Sequence, residues 1–472
     1  MKMLSLALLL AAAANAASAA TYYVSNRGSY SNDGRSPQTA WATLLRVNAG
    51  PFQPGDRILF RRGDVWRGQL IPHSGSPAGH VTYAAYGAGA KPLLLGSVPK
   101  SRPGDWTAEG PDVWSAGSFP ADVGNIIFDE GKACGAKRWH ESDLRRDGDF
   151  WYDRGRHRVK LRLTENPAKR YARIECAIRE HVIWQLNRSY IVYENLAVKY
   201  GGAHGVGAAN AHHTIVRDCD FAFIGGGDQM GDGRQVRFGN GIEFWATAHD
   251  NLVERCRLWE IYDAALTNQS SGPRTPQYNI TYRNNVIWNS EYSFEYWNRP
   301  EDSETHDIYF LHNTCINAGY GWGHAQRPDP SGCHLRFYAS PARARNIVVC
   351  DNIFDGATGP AFYAPQWTKG QIDGLVMDHN CWFQPKGMMI HSNVLAYTML
   401  DFAKYQAVWK KEPHSICAAA RFVDAQKRDF HLAAGSPCID AAAADGIRRD
   451  FDGVPVPQGK APDMGAYEFV GK

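Results

Sequence analysis

Three things are missing from this chain. Neither C-x-x-C nor H-E-x-x-H occurs in its 472 residues, which argues against a structural zinc site or a zincin helix. Charge of one sign is missing too: 51 Lys and Arg against 48 Asp and Glu leave a formal +3, so neither nucleic acid nor an anionic membrane is an expected partner. Beyond the first twenty residues no run of 18 is continuously apolar, so no transmembrane segment is expected.

What is present is ample apolar content, 44%, and many large rings, 15 Trp and 22 Tyr. Such a chain builds a globular core, and its rings suit repeated β-structure or stacking against sugars. The opening MKMLSLALLLAAAANAASAA has Lys2, an apolar run, and Ala17 and Ala19 in A-x-A spacing. It reads as a secretory signal over 1–19, which places a mature chain 20–472 in the periplasm or outside the cell. Ten cysteines then meet an oxidising compartment, with Cys134–Cys176 and Cys417–Cys438 as candidate disulfides.

A repeat organises the middle of the chain. IVYENLAV (191), IVRDCDFAF (215), LVERCRLW (252), ITYRNNVIW (280), IYFLHNTCI (308), IVVCDNIF (347) and LVMDHNCWF (375) start 24, 37, 28, 28, 39 and 28 residues apart. A second short strand follows most of them, at Val206, Ile242, Ala265, Phe294, Trp322 and Ala361. No helical periodicity intervenes, and repeats of short strands stack as coils of a solenoid about 4.8 Å apart. Stacking puts Asn285, Asn313, Asn352 and Asn380 in one column, where amides bond up the stack and tolerate a left-handed turn. Cys219 and Cys256 are expected one column earlier, as buried thiols.

TYYVSNRGSYSNDGRSPQTAWATL (21–44), FQPGDRILFRRGDVWRG (52–68) and DFHLAAGSPCIDAAAADGIRRDFDGVPVPQGKAPDMGAYEF (429–469) resemble the cap, first coils and closing segment of β-helix proteins of the pectate-lyase-like superfamily. The resemblance implies an all-β fold: a single right-handed parallel β-helix solenoid with N- and C-terminal capping segments. Its cap and first coils would span about 20–170, its central coils about 171–400 and its closing segment about 401–472. It also implies a groove holding an extended polysaccharide. The activity is then that of a polysaccharide lyase or a glycoside hydrolase, with non-catalytic glycan binding as a third reading. A monomer is expected.

Two insertions lengthen the repeat, GGGDQMGDGRQVRFGN (225–240) and GYGWGHAQRPDPSGCHLRFY (319–338), and loops on a rigid scaffold are where binding residues collect. With Val206, Ile242, Ala265, Phe294, Trp322 and Ala361 inward, the next column faces out: Gly207, Glu243, Leu266, Glu295, Gly323 and Phe362. Glu243 and Glu295 are then two coils apart, about 9.6 Å between backbones, and Trp245 and Trp297 repeat that separation. His204, Asn240, Asp263 and Tyr292 form a polar column at the strand entrance, while His324 turns inward as a core or turn histidine.

Two chemistries fit. β-Elimination on a uronate needs a cation for the carboxylate, a base for the C5 proton and an acid for the leaving oxygen. Arg234, Arg237, Arg327 and Arg336 suit the first role, and His334, His204 or Tyr292 the others. Inverting hydrolysis needs two carboxyls about 6.5–9.5 Å apart, which Glu243 and Glu295 approach, with Asp263 on the coil between. The arginines tip the expectation towards a lyase acting on an acidic polysaccharide. The catalytic candidates are Glu243, Asp263, Tyr292, Glu295, Arg327, His334 and Arg336. The substrate-binding candidates are His204, Arg234, Arg237, Asn240, Trp245 and Trp297. Neither chemistry requires a cofactor; Asp228, Asp232 and Glu243 offer oxygen ligands for calcium, without an EF-hand pattern.

Overall fold

The computed structural model describes residues 19–231, 234–270, 274–298, 303–338 and 343–471. The signal expected at 1–19 lies outside them except for Ala19. No helix of the described residues is long and apolar enough to cross a membrane.

Short strands rich in β-branched and aromatic residues wind into a right-handed parallel β-helix with three sheets. Sheet I stacks Ile183–Leu186, Val206–His212, the first part of Ile242–Glu254, Ala264–Ser270, Tyr292–Asn298, Cys333–Phe337, Phe362–Ala364 and Ile390–Ser392. Sheet II runs from Thr21–Val24 to Leu375–Asp378, and sheet III from Val65–Arg67 to Ile416–Cys417. Their inward residues form one core from Tyr22 to Tyr405, with Phe294 stacked on Phe310 at 4.9 Å.

The asparagine ladder stands at the corner between sheets II and III. Asn285 Nδ2 donates to Asn313 Oδ1 (3.0 Å), Asn313 Nδ2 to Asn352 Oδ1 (3.1 Å) and Asn352 Nδ2 to Asn380 Oδ1 (3.1 Å). Register corrects the place of the thiols. Cys219 and Cys256 are buried as expected, but they occupy the ladder column itself, because Asp220, Arg257 and Val286 are strand neighbours. The left-handed residues are those just before the ladder, Asn284, His312, Asp351 and His379, so the turn is made one residue ahead of the amides.

Among the described residues all ten cysteines are free. Cys134 and Cys176 pair with opposite edges of the strand Val123–Phe128, beyond the reach of a disulfide, whose Cα atoms lie within about 7 Å. Cys438 neighbours Cys381 rather than Cys417.

Among the described residues, three long excursions leave the coils before sheet I. Residues 97–178 depart after Leu93–Leu95 and build a β-module of two small sheets around Ile126, Phe128, Phe150, Leu161 and Ile174, which no periodicity announced. The two expected insertions both leave at the corner between sheets III and I. The second closes at its own neck, where a Cβ on Gly332 would lie 2.2 Å from Gly319 Cα. The sheet therefore resumes at Cys333–Phe337, and Trp322 is a loop residue rather than a strand residue.

Helix Phe402–Trp409 buries Phe402 and Tyr405 on the end of the core. The chain then returns along the outside of sheet III, where Phe430 and Tyr467 cover Val286, Trp288 and Ile316.

Candidate active site

Register decides which side chains share the outer face of sheet I. Leu266, not Ala265, pairs with Ile242 and Phe294, and Phe362, not Ala361, pairs with Leu335. One column therefore reads Trp184, Gly207, Glu243, Thr267, Glu295, Arg336, Tyr363 and His391. Glu243 and Glu295 are two strands apart as expected, with Thr267 between them in place of the expected Leu266. The two insertions flank this column, and the tight corners between them carry Asp263, Glu291 and Tyr292.

Glu243 is held by its neighbours. The Asn240 backbone N–H donates to His204 Nδ1 at 2.9 Å, which leaves the proton of a neutral His204 on Nε2, 2.9 Å from Glu243 Oε2. Asn240 Nδ2 donates to the same oxygen at 2.6 Å, while its Oδ1 accepts the N–H of Ala264 at 2.8 Å. Two donors meeting on one oxygen suit a carboxylate, which only accepts.

Glu295 stands in a different environment. Gln269 Nε2 donates to its Oε1 at 2.6 Å, with Thr267 Oγ1 at 3.4 Å. Burial pushes its pKa well above the carboxylate range, and Asp263 and Glu243 push the same way against Arg336 and Arg327. Asp263 is raised too, by burial first, with Arg327 opposing and Glu291 and Glu243 adding to the rise. Burial and the crowding of carboxyls thus both favour the protonated form of Glu295 and of Asp263.

The arginines divide. Arg327 donates to Tyr262 O at 2.9 Å and lies 3.4 Å from Asp263 Oδ1, 3.6 Å from Glu291 Oε1 and 3.5 Å from the Tyr292 hydroxyl. It braces the cleft wall. Tyr292 is buried beside it, and burial raises its hydroxyl well above the usual phenol range, so it keeps its proton. Arg336 is clamped between Tyr338 and Tyr363, 4.4 Å from each ring, and its Nε and Nη1 are buried without a hydrogen-bond partner among the described residues.

Other candidates fall elsewhere. His334 is fully buried, because the chain is still turning the corner from sheet III there: its Nδ1 lies 3.0 Å from Ser293 Oγ and its ring against Phe354. Burial lowers its pKa to about 3. Arg237 is spent on structure, donating to Gly226 O (2.7 Å), Gln326 Oε1 (2.8 Å) and Gly124 O (3.0 Å), so it ties both insertions to the β-module. Arg234 is exposed on the first insertion. His324 opens a turn of 3-10 helix and meets Glu291 Oε2 at 2.9 Å, half-buried rather than in the core. Of the residues offered for calcium, Asp228 is ion-paired with Arg154, Glu243 is held by His204 and Asn240, and Asp232 lies outside the described residues.

Rings flank the acids on both sides. Trp245 lies 5.6 Å from Trp184, and His181 stacks between Trp184 (4.6 Å) and His204 (4.7 Å). Trp297 lies 5.4 Å from Tyr338. Glu291, Gln269, His181, Trp184, Tyr338 and Tyr363 escaped sequence reasoning. Trp184 alone had a signal, since Ile183 precedes Ile191 by eight residues as Val206 precedes Thr214. Beside the second insertion a cavity of about 440 Å³ opens among Lys137, Arg138, Trp139, Arg145, Arg146 and Gln326, with Asp143 and Asp149 also in its lining.

The chain matches no known family's sequence profile and no curated protein. Solved structures do resemble it. Pectate lyase Pel9A superposes with a TM-score of 0.50 at 14% identity, over 95% of this chain and 96% of that one. A glycoside hydrolase superposes with a TM-score of 0.50 at 12% identity, over 79% of this chain and 94% of that one. These likenesses establish the pectate-lyase-like β-helix fold.

Proposed function

We propose that the chain is an exported enzyme that cleaves glycosidic bonds of an extended, acidic polysaccharide, and that it does so by hydrolysis. The observation that carries this reading is the contrast between two carboxyls two strands apart: Glu295, whose burial among other acids pushes its pKa well above the carboxylate range, and Glu243, clasped by two donors. Their backbones are about 9.6 Å apart by strand spacing, just above the roughly 6.5–9.5 Å between carboxyl groups that leaves room for a water in inverting hydrolysis.

In this mechanism Glu295 donates its proton to the glycosidic oxygen as the bond to the anomeric carbon breaks. Glu243 accepts a proton from a water that attacks that carbon from the opposite face. His204 and Asn240 aim Glu243, and Gln269 holds Glu295 by its Oε1. Trp245 and Trp297 are platforms for sugar rings on either side. The unpartnered Nε and Nη1 of Arg336 suit a sugar carboxylate.

Elimination has less support than the sequence suggested. His334 is inside the core, Tyr292 holds its proton and Arg327 is already braced by Asp263 and Glu291, so none of these three is placed as a free base or cation for elimination. A panel of plant and bacterial polysaccharides, followed for both reducing ends and ultraviolet absorbance, separates the readings. New reducing ends without absorbance are expected. Absorbance from an unsaturated uronate would mean elimination, and neither signal together with measurable affinity would mean a glycan-binding protein.

A further inference from the structure

A second group of ionisable side chains lies away from the cleft, where the closing segment meets the corner between sheets II and III. His312 and Asp351 occupy the same corner position on successive coils, both with left-handed backbone, and Asp445 comes from the closing segment. His312 Nε2 lies 3.3 Å from Asp445 Oδ2 and 3.6 Å from Asp351 Oδ2, and the three atoms lie within 4.8 Å of one another. His312 is 2% exposed, and the polar atoms that its Nε2 meets are these two aspartate oxygens.

Each of the three groups is oriented from behind. On its other side the imidazole faces the backbone of Asp463, so a neutral ring with its proton on Nδ1 presents the Nε2 lone pair to the two aspartates. The Ala443 N–H donates to Asp351 Oδ1 at 2.7 Å, and the Ile447 N–H donates to Asp445 Oδ1 at 3.0 Å. What remains is one nitrogen and two oxygens, Nε2 and both Oδ2, facing a common point. Atoms bound tetrahedrally at about 2.0–2.1 Å sit about 3.3 Å apart, and outer-shell bonds of this kind hold ligands of a metal site.

We propose that His312, Asp351 and Asp445 bind one zinc-class divalent cation, which clasps the closing segment to the coils. The side chain of Asp445 is 24% exposed, so a water completes the fourth position and the ion has a way in. Another group, His212, His213 and His249, is a poorer candidate. The rings of His212 and His249 are parallel within 4° at 4.6 Å, and parallel rings do not both aim an in-plane lone pair at one ion.

The test uses the full chain, stripped with EDTA, dialysed and then titrated with zinc chloride. About one zinc per chain is expected, with Tm raised by roughly 3–5 °C at saturation. Cobalt(II) in its place is expected to give the visible absorption of a tetrahedral nitrogen–oxygen site. His312→Gln should lose the stoichiometric metal, the shift and the absorption. Asp445→Asn, at the partly exposed ligand, keeps the fold and should show the same loss. A Tm indifferent to zinc with no cobalt absorption would overturn the proposal and leave an ion pair only. So would Asp445→Asn and His312→Gln variants that retain both zinc and the cobalt spectrum.

Discussion

Two columns of stacked polar side chains run along this helix, and stacking has opposite consequences in them. In the ladder Asn285, Asn313, Asn352 and Asn380 are fully buried, and the middle two amides each give a hydrogen bond to one ladder neighbour and accept from the other, while Asn285 accepts from the Cys256 N–H and Asn380 donates to Val349 O. In the sheet I column Glu243 and Glu295 are nearly as buried, but they must borrow donors from His204, Asn240 and Gln269. The coil repeat is the same. An amide carries both donor and acceptor, so repetition satisfies it; ionised carboxylates only accept, so repetition sets them against one another. One column is thereby fitted to hold the fold and the other to shift ionisation.

The sharpest way to break this comparison is Glu295→Gln, which keeps the shape and removes the proton donor. Turnover is expected to fall on the order of 10³-fold. Wild-type activity should also fade as pH rises through the elevated pKa of Glu295. The sign for stability follows from the same shift. The folded pKa lies above the unfolded one, so this carboxyl stabilises the fold at low pH and that contribution is lost as pH rises. Glutamine has no proton to lose, so between pH 5 and pH 8 the variant's Tm should drop less than wild type's. Initial rates and melts at both pH values check this, and an unchanged rate would remove Glu295 from the chemistry.

In the other column Asn313→Leu should do the reverse. It strips an acceptor from the Asn285 backbone N–H and side-chain amide and a donor from Tyr282 O, at about 1–3 kcal/mol for each buried group left unsatisfied. Denaturant unfolding should show the loss while kcat on the best substrate stays at the wild-type value. A stable Asn313→Leu, or one that loses kcat without losing stability, would erase the division between the columns.

Arg336→Ala sharpens the cleft side. It should weaken a charged glycan about ten- to hundredfold while sparing a neutral one of the same length, since only the charged sugar loses a charge-assisted bond. Equal losses on both would make Arg336 a packing residue between Tyr338 and Tyr363. The smallest effect is expected from Trp245→Ala, about two- to tenfold in affinity by calorimetry with Tm preserved. A collapse of Tm instead would mean that the indole belongs to the packing of Trp184 and His181.

By itself the sequence determined the coil period, the all-β class, the asparagine ladder and the pairing of Glu243 with Glu295 two coils apart. All of these follow from short-range repetition, which a strand's alternation and a solenoid's stacking convert directly into position. The tertiary structure decided the rest. A register step placed Thr267 rather than Leu266 beside the acids and put Cys219 and Cys256 in the ladder column. A loop closing on its own neck moved the strand from Trp322 to Cys333–Phe337 and sent His334 into the core. Contacts more than sixty residues away spent Arg327 on Tyr262 and Asp263, and others across about a hundred spent Arg237 on Gly124. Repetition fixes what lies directly above and below a residue, whereas insertions, corners and non-repeating modules meet through space, where sequence distance carries no information about contact.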